Sequence, residues 1–145
     1  MKLILKIVFP IILGLFFYSC NEGLITVLDY SNTIEDRVDT IEVSYVMWAC
    51  ACPNWIETDF LAQNSYIPEN ELESKCFYIE ANKETEKLPE KYHTNFLNGN
   101  RFKVKLIGNF YKDKGISRDY KKPTSEKPEY AKVFRYNEFE VLVGK

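Results

Sequence analysis

Apolar and polar residues alternate along several stretches of this chain, and the alternation predicts strands. The clearest runs from Asn100 to Tyr111. Phe102, Val104, Leu106 and Phe110 fall on one face, and Arg101, Lys103 and Lys105 on the other. A second strand starts at Thr40, where Ile41, Val43, Tyr45 and Met47 alternate with Glu42, Ser44, Val46 and Trp48. It runs on into Cys50-Ala51-Cys52, and Pro53 ends it, because proline cannot donate to a ladder. Leu24–Tyr30, Cys76–Ala81 and Lys132–Val143 supply three further strands. Gly108 marks a bend in the Asn100 strand, and an irregularity is expected near Asn137. Between strands, Pro89–Leu97 reads as a short helix: Pro89 suits its first turn, and Asn98-Gly99 stops it. Leu88, Tyr92 and Phe96 form its inner face. Asn54–Asn64 fits either a short helix with Trp55, Ile56 and Phe60 inward or an irregular loop. Ser31–Asp39 and the acidic Pro68–Lys75 are turn-like, and Ser117–Glu129 is a long polar loop.

The order is three strands, a short helix and two strands. It resembles an OB-fold, a small five-stranded, partly open Greek-key β-barrel with a helix after its third strand. The resemblance covers residues 24–143 and lies in element order. An open sheet or a small sandwich is the competing mainly-β architecture.

The N-terminus has a different character. Lys2 and Lys6 precede an apolar run from Ile7 to Tyr18, interrupted by Pro10 and Gly14. Twelve residues fall short of the about 20 that a membrane span needs, so the run reads as a secretory signal. It closes on Ser19-Cys20, a small residue directly before a cysteine, which resembles the lipobox of bacterial lipoproteins. The resemblance implies a signal peptide over 1–19, cleavage before Cys20 and acylation there by palmitate-type chains. A lipidated tether over 20–23 and a β domain over 24–145 would follow. Asn21, in place of Asp, implies onward export to the outer membrane, with the leaflet face left open. Phe17 departs from the leucine usual upstream.

Composition narrows the picture. The 145 residues suffice for one modest domain with a core, and 15% aromatics suit strands. Without residues 1–19 the chain holds 17 basic against 21 acidic side chains, a charge of −4. That argues against a nucleic-acid partner, which calls for a basic footprint.

Once Cys20 is acylated, Cys50, Cys52 and Cys76 remain as a disulfide or thiol cluster in an oxidising compartment. In an extended strand, Cα atoms two residues apart lie about 6.6 Å from one another, near the limit for a disulfide. A bridge from Cys76 to Cys50 or Cys52 is therefore the expected pairing, alongside the alternative of three buried thiols. The same three cysteines with His93, the one histidine, form a candidate Cu or Zn set. A lone histidine is more often a surface or hydrogen-bonded residue. Trp48, Trp55, Tyr45 and Tyr66 could make a stacking platform, against core packing as the simpler account. Arg101, Lys103 and Lys105 form a basic strip that strand-neighbour acids can pair. No catalytic triad, phosphate loop or paired catalytic carboxylates stand out.

The Cys-Ala-Cys-Pro-Asn-Trp stretch, Cys76-Phe-Tyr-Ile and the closing Val133-Phe134-Arg135-Tyr136 are similar to segments of small lipoproteins of Bacteroidota, a resemblance that carries no activity. The sequence reading is a non-enzymatic binding or interaction module, lipid-anchored at the outer membrane and needing no cofactor. It would hold an envelope protein partner or a small ligand. The alternative is a thiol or soft-metal handling protein.

Overall fold

A computed structural model of the chain describes residues 33–48, 50–64, 66–83, 86–93, 102–121 and 125–143. The signal peptide, Cys20 and its tether, the Leu24–Tyr30 strand, Arg101 and the second half of the Pro89–Leu97 helix lie outside the described residues.

The protein is mainly β. Five strands form one mixed sheet: β1 (Asp39–Tyr45), β2 (Trp55–Glu57), β3 (Tyr78–Ala81), β4 (Phe102–Phe110) and β5 (Val133–Val143), in the order β2-β1-β4-β5-β3. All neighbours are antiparallel except β3 and β5, which run parallel. The sheet curls into a half-barrel. Its two edge strands approach at one point, where Trp55 and Phe77 exchange both backbone hydrogen bonds, at 3.1 and 2.8 Å.

The alternation in β4 is realised as read. Val104 and Leu106 are buried on the concave side with Val43, Trp55, Phe77, Ile79, Leu88, Phe134 and Tyr136. Lys105 lies across from Glu140 in register and pairs with it at 3.8 Å, a solvated strand face. The bend expected at Gly108 and the irregularity expected near Asn137 are one feature. The β4–β5 register shifts there: Ile107 faces Glu138, Gly108 faces Tyr136, and Asn137 is the extra residue of a bulge. A Cβ at Gly108 would collide with the Arg135 carbonyl oxygen and lie 2.7 Å from Tyr136 Cα, so the bulge demands glycine.

Two elements depart from the sequence pattern. Residues 54–64 are neither a plain helix nor a loop, but β2 followed by α1 (Thr58–Gln63). Trp55 enters the concave core, while Ile56 points the other way, into a second cluster with Val46, Cys76, Trp48 and Phe60. The turn-like 68–75 is instead α2 (Glu69–Lys75), with Glu69 and Glu71 in its first turn and Lys75 in its last, complementing the helix dipole. Ser44, on the face of β1 that alternation leaves to solvent, is buried and hydrogen-bonds Thr58 of α1 at 2.9 Å. Of the expected Pro89–Leu97 helix, the described part is one 3-10 turn, Glu90–Tyr92.

Candidate functional site

A cleft of about 380 Å³ opens at one end of the half-barrel, at the small end of the range for ligand pockets. Its floor is the end of β1 and the start of β2, with Tyr45 and Trp55. Its walls are the 87–93 segment and the 117–121 loop.

The 117–121 loop is held by the edge of β3. Ser117 Oγ donates to the Ile79 carbonyl at 2.7 Å, and the Ala81 N–H donates to Asp119 Oδ2 at 2.7 Å. Between them Glu80, 4% exposed, accepts from the Arg118 backbone N–H, the Arg118 guanidinium and Tyr111 Oη at 2.9, 2.7 and 2.8 Å. Side chains thus occupy the edge that a sixth strand would take, and a buried carboxylate is met on both oxygens.

The 87–93 segment is held from β5. The Leu88 N–H donates to Tyr136 Oη at 2.8 Å, and Lys87 Nζ pairs with Asp119 at 2.8 Å across the cleft mouth. Burial pushes the Tyr136 hydroxyl up to about 12. Lys121 and Glu90 form a second pair at the rim, which holds the Glu90 carboxyl below its usual value.

His93 closes the floor. Its ring stacks on Tyr45 (centroids 5.6 Å, 17° between planes) and meets Trp55 edge-on at 5.4 Å, while Tyr45 and Trp55 pack edge-to-face at 5.2 Å. Such pairs contribute about 0.5–1.5 kcal/mol each beyond burial. Burial lowers the His93 pKa from 6.5, so the ring is neutral at pH 7. Its Nε2 is buried and has no hydrogen-bond partner among the described residues. Tyr120 Oη is a second buried polar atom without a partner, on a ring packed against Tyr78 at 5.0 Å. Among the described residues four buried side-chain polar atoms lack a partner, Trp48 Nε1, His93 Nε2, Tyr120 Oη and Arg135 Nε, and two of the four belong to residues that line this cleft.

The stacking platform is therefore half as read. Tyr45 and Trp55 line the cleft, whereas Trp48 packs with Ile56 and Phe60 and Tyr66 is 83% exposed. Tyr120, Asp119 and Lys121 were hidden in a segment that reads only as polar loop. Pro89 with the apolar Leu88 and Tyr92 about it was the local signal for the other wall.

The cysteines require a correction. Cys50 bridges Cys52, and Cys76 is a free, buried thiol. The strand that would have held the first two apart ends at Tyr45. The chain bends at residues 50 and 51, which brings the Cα atoms of Cys50 and Cys52 to 5.3 Å. Cys76 lies with Val46 and Ile56, and burial pushes its thiol up to about 11, partly offset by the Trp48 indole, so it is poor in reactive thiolate. Nor does the Cys50, Cys52, Cys76 and His93 set come together. Among the described residues the ligand-type group is Cys50, Cys52 and Glu73, within 4.8 Å of one another. Cys52 Sγ is 3.4 Å from Glu73 Oε1, a contact that becomes a hydrogen bond only when the bridge is reduced.

Comparison of the chain with protein-family models, with curated proteins and with solved structures finds no match.

Proposed function

We propose that this protein is a binding module of the bacterial envelope, lipid-anchored through Cys20 at the outer membrane, and that the aromatic cleft is its binding site. The observation that carries the reading is the cleft itself, with Tyr45 and Trp55 on its floor and two lining residues, His93 and Tyr120, whose buried polar atoms have no partner among the described residues. An OB-like barrel is the architecture we assign. Its support is the five-strand order, the parallel return of β3 beside β5, and a seam between β2 and β3 that, among the described residues, is bridged at Trp55–Phe77. The two helices between β2 and β3 are an elaboration of that plan. Kinship with small Bacteroidota lipoproteins is part of the same proposal.

The test of the site is a nuclear magnetic resonance screen of the full chain against glycosides, amino acids and short peptides. Shifts concentrated at Tyr45, Trp55, His93 and Tyr120 are expected, and a screen that moves none of them ends the reading. The anchor has its own test. Cys20→Ala should release the protein from membranes or leave an uncleaved precursor; unchanged partition and acyl labelling would refute it.

A second reading rests on Cys50, Cys52 and Glu73. Reduced by a dithiol, the bridge yields two thiols beside a carboxylate, donors suited to Zn(II) or, through sulfur, Cu(I). Stoichiometric Zn uptake after reduction, lost in Cys50→Ser, is the expected result; no uptake by the reduced protein removes this reading.

A further inference from the structure

We infer that the Cys50–Cys52 bridge is a thiol–disulfide exchange site that oxidises a dithiol segment of a peptide or protein. Cys50 is the sulfur attacked, and Glu73 is the acceptor that holds Cys52 as a thiol. None of the three residues lines the cleft, so the inference is independent of that site. It shares its residues with the metal reading, and the experiment keeps the two apart.

Three observations converge. The first is that the bridge holds little of the fold. Its two cysteines are separated by a single residue, Ala51, and the stabilisation that a disulfide gives through the unfolded chain grows with the loop it closes. The surrounding loop is already closed at its base. The Val46 N–H donates to the Asn54 carbonyl at 2.7 Å, and Asn54 Nδ2 donates to the Val46 carbonyl at 3.1 Å. β1 and β2 pair directly below, with Tyr45 opposite Trp55. The Ala51 carbonyl, between the two cysteines, accepts from the Glu129 N–H at 3.1 Å. The loop is thus fixed by bonds that do not involve sulfur.

The second is that the two cysteines differ in access. Cys52 is 2% exposed, whereas Cys50 is half-buried. An incoming thiolate therefore meets Cys50, and Cys52 is the leaving group.

The third is Glu73. Its Oε1 lies 3.4 Å from Cys52 Sγ. In the bridge that sulfur carries no hydrogen, so the carboxylate gains nothing from it. In the reduced protein the S–H donates to it. The contact stabilises only the reduced pair, and a stabilised reduced form makes a disulfide a stronger oxidant.

The exchange takes two steps. A thiolate of the dithiol attacks Cys50 Sγ. The Cys50–Cys52 bond breaks, its electron pair passes to Cys52, and Cys52 takes a proton from water and donates a hydrogen bond to Glu73. The second thiolate of the dithiol then attacks the first dithiol sulfur in the mixed disulfide and releases Cys50, which also takes a proton. Two electrons have moved from the dithiol to the bridge. The dithiol leaves as a disulfide, and Cys50 and Cys52 remain as thiols. Met47, at the entry to this loop, and Tyr130, which follows Glu129, are exposed apolar side chains that suit a peptide carrying the dithiol.

The experiment mixes the full-length protein, in detergent with EDTA at pH 7.5 and without oxygen, with one equivalent of a reduced Cys-x-x-Cys peptide flanked by apolar residues. Alkylation and mass mapping read the thiols. The bridge should be reduced and the peptide oxidised one for one, in at least about half of the molecules, the yield when the bridge is no weaker an oxidant than the peptide disulfide. An excess of the same peptide with one cysteine replaced by serine, quenched in acid, should give a mixed disulfide mapped to Cys50. Glu73→Ala, with its far-ultraviolet dichroism unchanged, should be about tenfold harder to reduce, the effect of one hydrogen bond to a charged group. A smaller share of reduced bridges, a mixed disulfide on Cys52 or Cys76, or a Glu73→Ala variant reduced as readily as the parent overturns the inference. If the protein reduced by a phosphine takes up Zn but the peptide leaves the bridge intact, the metal reading stands and the inference falls. If the peptide reduces the bridge and the reduced protein, freed of EDTA, takes up no Zn, the inference stands and the metal reading falls.

Discussion

Two neighbouring regions of this molecule bury polar atoms on opposite terms. At the β3 edge, Glu80 is met by Tyr111 and by both the backbone and the guanidinium of Arg118, and Ser117 and Asp119 find backbone partners on either side. The same loop lines the cleft, where, among the described residues, His93 Nε2 and Tyr120 Oη have none. Arg118 and Tyr120 are two residues apart. The difference separates a polar group that holds structure from one that holds capacity. The satisfied network fixes the loop whose next residues carry the unsatisfied atoms.

The largest effect should come from breaking the satisfied side. Glu80→Ala leaves Tyr111 Oη and the Arg118 N–H without their acceptor. It should cost about 2–3 kcal/mol in urea unfolding, less than a fully buried pair because the Arg118 head is partly in water. A cost below about 0.5 kcal/mol, the scale of an ordinary surface substitution, would erase the contrast.

Gly108→Ala comes next. Its methyl group must displace the β5 backbone at Arg135 and Tyr136, for about 1–3 kcal/mol. Because Tyr136 anchors Leu88, the same change should loosen the 87–93 wall, visible as faster amide exchange at Leu88.

A matched pair of Tyr→Phe changes sharpens the comparison further. Tyr136→Phe strips the partner from the buried Leu88 N–H and should cost about 1–2 kcal/mol. Tyr120→Phe removes a hydroxyl that has no partner and should change stability by less than about 0.5 kcal/mol in either direction. Equal costs in thermal or urea unfolding would mean that the two hydroxyls are not in different situations.

The smallest effect is a pH slope. His93 is held below 6.5 in the fold mainly by burial. Glu90 pulls its pKa up and Lys121 down, and the Tyr45 and Trp55 rings lie against it. The unfolded chain then binds the proton more readily, so stability falls as pH drops from about 6.5 towards the depressed folded value, and is fully present above 6.5. Subtracting the same profile for His93→Phe isolates the slope. A difference profile that is flat across this window would contradict a neutral, buried imidazole.

Some of this was legible in the chain and some was not, for reasons that can be named. The alternation through Phe102, Val104 and Leu106, and the glycine that interrupts it, gave β4 and its bulge, because a strand's side-chain period is local and a missing Cβ is written in the sequence. Tyr45 and Trp55 are two of the four aromatics the sequence offers for a platform, with core packing as the simpler account, and only the fold puts both on the cleft while Trp48 joins the second cluster. The reading of Cys50 and Cys52 failed because it assumed that an extended strand continues past Tyr45. Three-residue β2 and seven-residue α2 left too short a pattern to separate from turn.

What the sequence determined by itself is the mainly-β character, the position of the bulge and the aromatic residues available to a site, since these follow from local spacing and side-chain type. Tertiary structure decided the rest. It set Ser117, Arg118 and Asp119 against the β3 edge, about 40 residues back along the chain, and it set His93 between Tyr45 and Trp55. Whether a buried polar atom finds a partner depends on which distant backbone the sheet order brings beside it. No local pattern encodes that, and so a satisfied Glu80 and an unsatisfied His93 look alike in the sequence.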